Sequence, residues 1–487
     1  VALTGAPTNS RPHATRTLAI LLLGTFTFAI SQTMMNPAFP LIAARFHATE
    51  ATVAWTLSGF FLTASISPGV SGRLGDMFGK RRVLIIALLL FAGGGAVCAL
   101  AQSVEVLIAG RLVMGSGAGI FPLSFSIVRD ELSPARMTTA IGVLSAMVGL
   151  GAALGFPIGG LLLDGPGLPS IFWTMTGLAA VAAAAVYLGV PESPVRTPGR
   201  IDWAGSTLFA IGLAAVLGSV SGAGVWGWLG WPTLVLFFSG LALLVAFVAV
   251  EKRTTHPLVH LPTFVDRAVL PTNLATLLLG TGVVVAFIAV PQLAQLPASS
   301  RIGFGDSASR SGLYLIPMSA FIAVSAPFGG RLTSRLGARN LLQIGALLSA
   351  AGLFGLAALH GDRIDLYLWP TIFGIGTGLS YAAMPVLIVR AVAQEQTGEA
   401  TGLNTLLRNA GGGLGSQMST SLIGATVSPA TGLASDTGFT LAFVAGGLAC
   451  LAGLVVASWI PNFGRGSIAV ERRLPPTGQP DTEEEPA

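Results

Sequence analysis

The sequence predicts an all-α polytopic membrane protein: two pseudo-symmetric six-helix bundles plus two extra central helices, fourteen transmembrane spans in all. Three observations carry this. Only 10% of the 487 residues are charged and 52% are hydrophobic, whereas a soluble domain has about 25% charged residues. Apolar runs of roughly 20 residues, long enough to cross a hydrocarbon core about 30 Å thick, recur from end to end. One charged turn occurs twice, at a constant offset of 258 residues.

The apolar runs fall at 17–39, 52–72, 83–101, 106–128, 138–163, 170–190, 203–222, 231–250, 269–291, 311–330, 340–359, 366–389, 400–424 and 438–460. Runs of this length must be helices, because backbone groups in lipid are satisfied only within a helix or a closed barrel. The first run follows Arg11 and Arg16, as a signal peptide would. It exceeds an h-region of about 7–15 residues and reads as the first span. Spans one to six make an N-terminal bundle at 17–190, and 191–268 is a linker carrying the extra pair. Spans nine to fourteen make a C-terminal bundle at 269–460. The polar tails, 1–16 and 461–487, are rich in proline and read as disordered.

Basic residues orient the chain. With the N-terminus in the cytosol, 20 of the 26 Lys and Arg fall in inner segments and four (Arg45, Arg301, Arg310, Arg363) in outer loops. This positive-inside bias puts both termini in the cytosol. It also accounts for a pI near 9.8 without a nucleic-acid partner. Both lysines, Lys80 and Lys252, precede an arginine, so no Gly-Lys-Ser/Thr phosphate loop exists. The two cysteines, Cys98 and Cys450, sit inside apolar runs and act as small hydrophobes rather than metal ligands. No His, Asp, Glu or Cys converge as an enzyme would require. The chain reads as a non-enzymatic protein with no cofactor, a monomer in the bilayer with a small-molecule substrate.

The repeated turn reads GRLGDMFGKRR at 72–82 and GRLTSRLGAR at 330–339, and each copy is followed by a glycine motif, GSGAG at 115–119 and GIGTG at 374–378. Such internal repeats build secondary transporters that rock about a central site. The first turn resembles the cytosolic loop signature of the major facilitator superfamily. The fourteen-span plan is similar to its drug/proton antiporter, or multidrug efflux, branch over about 17–460. The resemblance implies alternating-access export of a hydrophobic or amphipathic small molecule, a drug or antibiotic, across the bacterial cytoplasmic membrane. It also implies a cytosolic latch formed by Gly72, Arg73, Asp76, Gly79, Lys80 and Arg81, with Gly330, Arg331, Gly337 and Arg339 in the second copy. There Ser334 stands where the first copy has Asp76, so the latch is asymmetric.

Within the spans, Arg111 is a buried charge and so a functional candidate. The resemblance gives it a part in proton movement; packing chemistry equally lets it pin neighbouring helices. Gly142, Gly151, Gly155, Pro157, Gly159 and Gly160 resemble the antiporter motif of the fifth span, with the proline one position late. Generic close packing by small residues explains the glycines as well. In ISQTMMNPAFP (30–40) the family's first-helix aspartate is replaced by Ser31. No span contains Asp, Glu, Lys or His, so protons would have to use Asp76, Glu131 or Arg111. A proton-independent facilitator or a lipid/metabolite exporter is the alternative. Neutral or anionic cargo would suit a cavity lined by Ser31, Gln32, Asn36, Phe121, Phe125, Asn273, Tyr381, Asn404 and Arg408.

Overall fold

The computed structural model describes residues 13–132, 134–192, 202–254, 266–300, 302–392, 397–428 and 431–461. Of the tails predicted at 1–16 and 461–487, residues 1–12 and 462–487 lie outside the described residues, as do parts of the linker at 193–201 and 255–265, while 13–16, read as tail, open the first helix. Among those described, the chain is helical and holds one isolated bridge, Val427–Ala434.

The first bundle begins with α1 (His13–Met34), a 3-10 turn over Asn36–Ala38 and α2 (Phe39–Phe46). Pro37 and Pro40 lack the N–H groups that a continuous helix needs, so the first span is broken. α3 (Glu50–Phe78) starts on Thr49, whose hydroxyl accepts from the Thr52 N–H at 3.2 Å. It is followed by α4 (Lys80–Ala99), α5 (Val104–Gly115) and α6 (Ile120–Glu131). The glycine-rich Ser116–Gly119 separates α5 from α6 as a 3-10 turn. α7 (Pro134–Asp164) and α8 (Leu168–Gly189) complete this bundle, and α7 stays helical through Pro157.

The inserted pair is α9 (Trp203–Trp226) and α10 (Trp231–Glu251). The second bundle holds α11 (Val269–Gln295), the short α12 (Ala308–Leu313), α13 (Ile316–Leu336), α14 (Ala338–Ala358), α15 (Arg363–Ala391), α16 (Thr397–Gly424) and α17 (Asp436–Ala457). Eleven helical stretches among the described residues are long and apolar enough to cross a membrane. α7, α13 and α16 stand where the fifth, tenth and thirteenth spans are predicted and fall outside that set. α16 is the most polar of the long helices. Asn404, Asn409, Ser416, Gln417, Ser419, Thr420 and Ser421 on it are all buried, so helix neighbours rather than lipid surround them.

Two large cores form. One gathers Leu21 to Val190 and borrows Val284 and Ile288 from α11. The other gathers Ala268 to Ile460 and borrows Phe156 from α7, whose ring meets that of Phe287 at 4.9 Å. A third, smaller core joins Phe209, Leu213 and Leu217 of α9 to Leu62 of α3 and to Leu403 and Leu406 of α16. The extra pair thus packs along the seam between the bundles.

The seam itself is zipped from one end. From that end inward, Gly424 lies on Glu50, the Ser416 hydroxyl donates to Ala54 O at 3.3 Å, and the Ser58 hydroxyl donates to Gly413 O at 3.3 Å. The last rung is Asn409 Nδ2, which donates to Ala64 O at 3.0 Å. α3 continues another 14 residues to Phe78, about 21 Å at 1.5 Å per residue. These rungs lie in the half of the molecule away from the charged turn.

Candidate functional site

Each charged turn is a single glycine between two helices. Gly79 (φ +107°) joins α3 to α4, and Gly337 (φ +84°) joins α13 to α14. Both occupy backbone that a side chain rarely adopts. The 258-residue repeat is therefore a repeat of conformation as well as of letters.

Lys80, Arg81 and Arg82 of the first turn face their own bundle. Lys80 is 2% exposed, and its Nζ meets Asp130 of α6 at 2.6 Å and Asp76 at 4.0 Å. The Arg81 N–H donates to Glu192 Oε1 at 3.1 Å, and its guanidinium donates to Tyr187 O near the end of α8. Arg82 adds an ion pair to Glu192 at 3.9 Å. In the second bundle Arg339 donates to Ser458 O, just past α17, at 2.8 Å. In each half the same arginine thus binds the C-terminal carbonyl end of the sixth span, where a cation is favoured. Gly72 and Arg73 lie on the last turns of α3, and Gly72 has open space around it. Glu131 is half-buried at the end of α6. The surroundings of Gly330 and Arg331, like those of Gly142, lie outside the described residues.

The sequence signals Lys80 and its neighbours but does not single out Asp130 or Glu192 as their partners. Acidic residues just past the fourth and sixth spans were the available clue; the contacts span 50 and 111 residues. Substituting alanine for Gly79 would strain the positive φ and set a Cβ 2.7 Å from Glu192 Oε1. A loss of about 1–3 kcal/mol is expected, read as a lower melting temperature in detergent.

Arg111 is fully buried on α5. Its Nε donates to Thr56 O at 2.9 Å, and its guanidinium lies over the Phe60 ring at 4.2 Å. Both contacts are on α3, so the side chain ties α5 to α3. Its Nη2 has no hydrogen-bond partner.

The α7 glycines divide by face. Gly151, Gly155 and Gly159 meet α1 at Ala29, Thr33 and Met34, and a Cβ at Gly151 would stand 2.6 Å from that of Ala29. Thr33 donates to Gly151 O at 3.2 Å across this contact. Gly160 instead meets the backbone of Ser309 in the second bundle, where a Cβ would be 2.7 Å from its nitrogen. Pro157 is half-buried between these faces.

The predicted cavity residues form two groups. In the first bundle Phe121 lies 6.0 Å from Phe28 and 6.2 Å from Phe125. Ser31 is buried, with its hydroxyl donating to Phe28 O at 2.7 Å, and Gln32 is half-buried. Asn36 is buried with Oδ1 unpartnered. In the second bundle Asn404 Nδ2 donates to Asn273 Oδ1 at 3.0 Å and to Thr276 Oγ1 at 2.7 Å. The Arg408 guanidinium lies 5.5 Å over the Tyr381 ring.

Two helix bundles that share a glycine turn and a helix-end arginine, joined by a one-sided seam, describe a multi-pass membrane transporter rather than an enzyme. The chain belongs to the Major Facilitator Superfamily, whose family profile matches residues 21–209 and 203–416. The tetracenomycin C resistance and export protein of Streptomyces glaucescens is 31% identical over 404 residues, spanning 82% of this chain and 74% of that protein. A multidrug resistance protein B homolog of Mycobacterium tuberculosis is 30% identical over 422 residues, 84% of this chain and 76% of the other. Among solved structures, the xylose transporter XylE from E. coli in a partially occluded inward open conformation superposes with a TM-score of 0.61 at 14% identity. That match covers 91% of this chain and 98% of XylE and shows the shared fold.

Proposed function

We propose that this transporter exports hydrophobic or amphipathic small molecules of the drug and antibiotic class across a bacterial cytoplasmic membrane by alternating access. The relatives named for tetracenomycin C export and multidrug resistance support the cargo class. The carrying observation is the seam, whose rungs run from Glu50 to Ala64 and leave the remaining length of α3 toward the charged turn. In this reading the chain has fourteen spans, with six at 17–190, the inserted pair within 191–268 and six at 269–460. The basic turns and both termini are cytosolic, so the far, zipped end is the outer mouth and the molecule faces inward.

The cargo would lie between Phe121 and Phe125 on one side and Asn273, Asn404, Tyr381 and Arg408 on the other. An apolar wall facing amides and a guanidinium suits neutral or anionic amphiphiles. Ser31 favours a second reading, because its hydroxyl is spent on Phe28 O and titrates nowhere near neutral pH. Coupling then falls to Asp76, Glu131 or Arg111, or the chain works as a proton-independent exporter. Cells with and without the gene, challenged with a compound panel, test export: lower susceptibility is expected in cells that carry it. Proteoliposomes with an imposed pH gradient separate the two readings, since transport indifferent to the gradient leaves only the proton-independent one.

A further inference from the structure

We propose that Asp164, Ser309 and Gln295 form a clasp that holds the outer mouth shut and breaks in every transport cycle. The assignment of this mouth as outer rests on the reading above. Asp164 closes α7, just beyond the apolar run at 138–163, and one of its oxygens accepts from the Ser309 backbone N–H at 3.0 Å and from the Ser309 hydroxyl. Ser309 belongs to α12, in the opposite bundle. The two backbones can approach because each presents a glycine to the other: Gly160 lies against Ser309, and Gly312 lies against Phe156, where a Cβ would be 2.9 Å from its carbonyl oxygen. Gln295 ties a third strut into the joint. Its Nε2 donates to Pro37 O at 3.2 Å, in the broken first span, and to Ser311 Oγ at 3.1 Å.

Beside the clasp lies a small cavity of about 280 Å³ lined by Pro37, Leu41, Leu163, Asp164, Gln295 and Ala308 among others. The other carboxylate there, Asp306, is engaged by Arg363 at 2.9 Å, Arg310 at 3.4 Å and the Tyr314 hydroxyl at 2.6 Å. Arg310, the basic residue of α12, therefore serves Asp306, and Asp164 is left to neutral donors, Ser309 first among them. A charge-assisted bond at the water-exposed surface suits the task. It is directional enough to reset the two bundles in register and weak enough to release.

The charge on Asp164 has a defined sign of effect. Partial burial works against it, but donors from Ser309, Ser307 and Ala308 outweigh that and hold its carboxyl below the usual aspartate range. A depressed carboxyl stabilises the bound form at every pH above its ordinary value of about 3.9, and that stabilisation is lost only as pH falls through the lowered value. The clasp is therefore charged across the physiological range and does not itself exchange a proton there.

Leu163→Cys supplies the reporter, because Leu163 lines the cavity and is 8% exposed, while the native Cys98 and Cys450 are buried. A membrane-impermeant maleimide is applied from outside. Asp164→Ala should label about tenfold faster than the parent, the loss of one charge-assisted bond, and Ser309→Ala by a smaller factor because its N–H remains. The ratio of the variant's rate to the parent's should be equal at about pH 6 and pH 8, both well above the carboxyl's ordinary value, because the reporter thiolate's own pH dependence cancels in the ratio. Unchanged labelling in both variants would overturn the clasp, as would acceleration accompanied by reaction of Cys98 and Cys450 in reporter-free Asp164→Ala. Labelling needs no cargo, so a chain that moves no drug still reports on the clasp. Drug export with unaltered labelling removes the clasp and leaves the transport reading standing.

Discussion

Lys80→Met should sharply lower the amount of folded protein in the membrane and its melting temperature, and adding Asp130→Leu should restore much of both. Lys80 is 2% exposed and 2.6 Å from Asp130. Removing the lysine takes from the Asp130 carboxylate, in a site with little water, the ammonium it meets most closely, which costs up to about 3–5 kcal/mol. Against a total stability of about 5–15 kcal/mol that is a large fraction. Replacing both members by apolar groups of similar size removes both charges together, and comparable swaps are neutral or stabilising. Membrane-fraction immunoblots and melting in detergent give the readout. A double variant no better than either single one would show that the pair is not what holds α4 to α6. Because Asp76 stands 4.0 Å from the same Nζ, Asp76→Asn provides the graded control. It is half-exposed and should cost less than about 1 kcal/mol.

The second large effect separates stability from transport along one helix. Valine at Gly155 would press a Cβ against Thr33 Oγ1 and to 2.9 Å from Ile30 O, within the first bundle. Overpacking of that kind costs about 1–3 kcal/mol, and the Thr33 hydrogen bond to Gly151 O goes with it. Gly155→Val should therefore melt early and accumulate poorly. For valine at Gly160 the nearest atoms that its Cβ would meet belong to Ser309 and Ala308, across the seam. That variant should melt near the parent temperature, yet its outer mouth cannot close, so export should fall by more than about tenfold. Normal export from Gly160→Val would mean that the two backbones do not need to meet there.

The sequence carried the long-range plan because hydropathy is a local property repeated along the chain. Each apolar run becomes a helix wherever the backbone must satisfy itself in lipid. The doubled turn was legible as well, since only glycine tolerates the positive φ that Gly79 and Gly337 share. What the turn does was hidden. Lys80 reads as one charge of a latch in a basic loop, whereas its partner on α6 lies 50 residues away. Arg81 and Arg339 gained their helix ends through Tyr187 and Ser458, separations of 106 and 119 residues. The breaks at Asn36–Ala38 and Ser116–Gly119 interrupt runs that hydropathy reads as continuous, because an apolar residue scores alike in a 3-10 turn and a helix. The division of the α7 glycines was also invisible. A four-residue spacing marks one face, but nothing in the letters says which neighbour lies on it.

The placement of α9 has a mechanical consequence. Toward α3 it is fastened by directional bonds: the Trp55 indole donates to Ser221 Oγ at 3.1 Å, and that hydroxyl reaches Ala51 O at 3.4 Å. Toward α16 it offers greasy surface, Leu213 and Leu217 beside Leu406, Ala410 and the bare backbone of Gly413. Oily contacts tolerate sliding, whereas hydrogen bonds resist it. When the halves pivot, slip should concentrate on the α16 side, and the inserted hairpin should ride with the first bundle as a bearing pad.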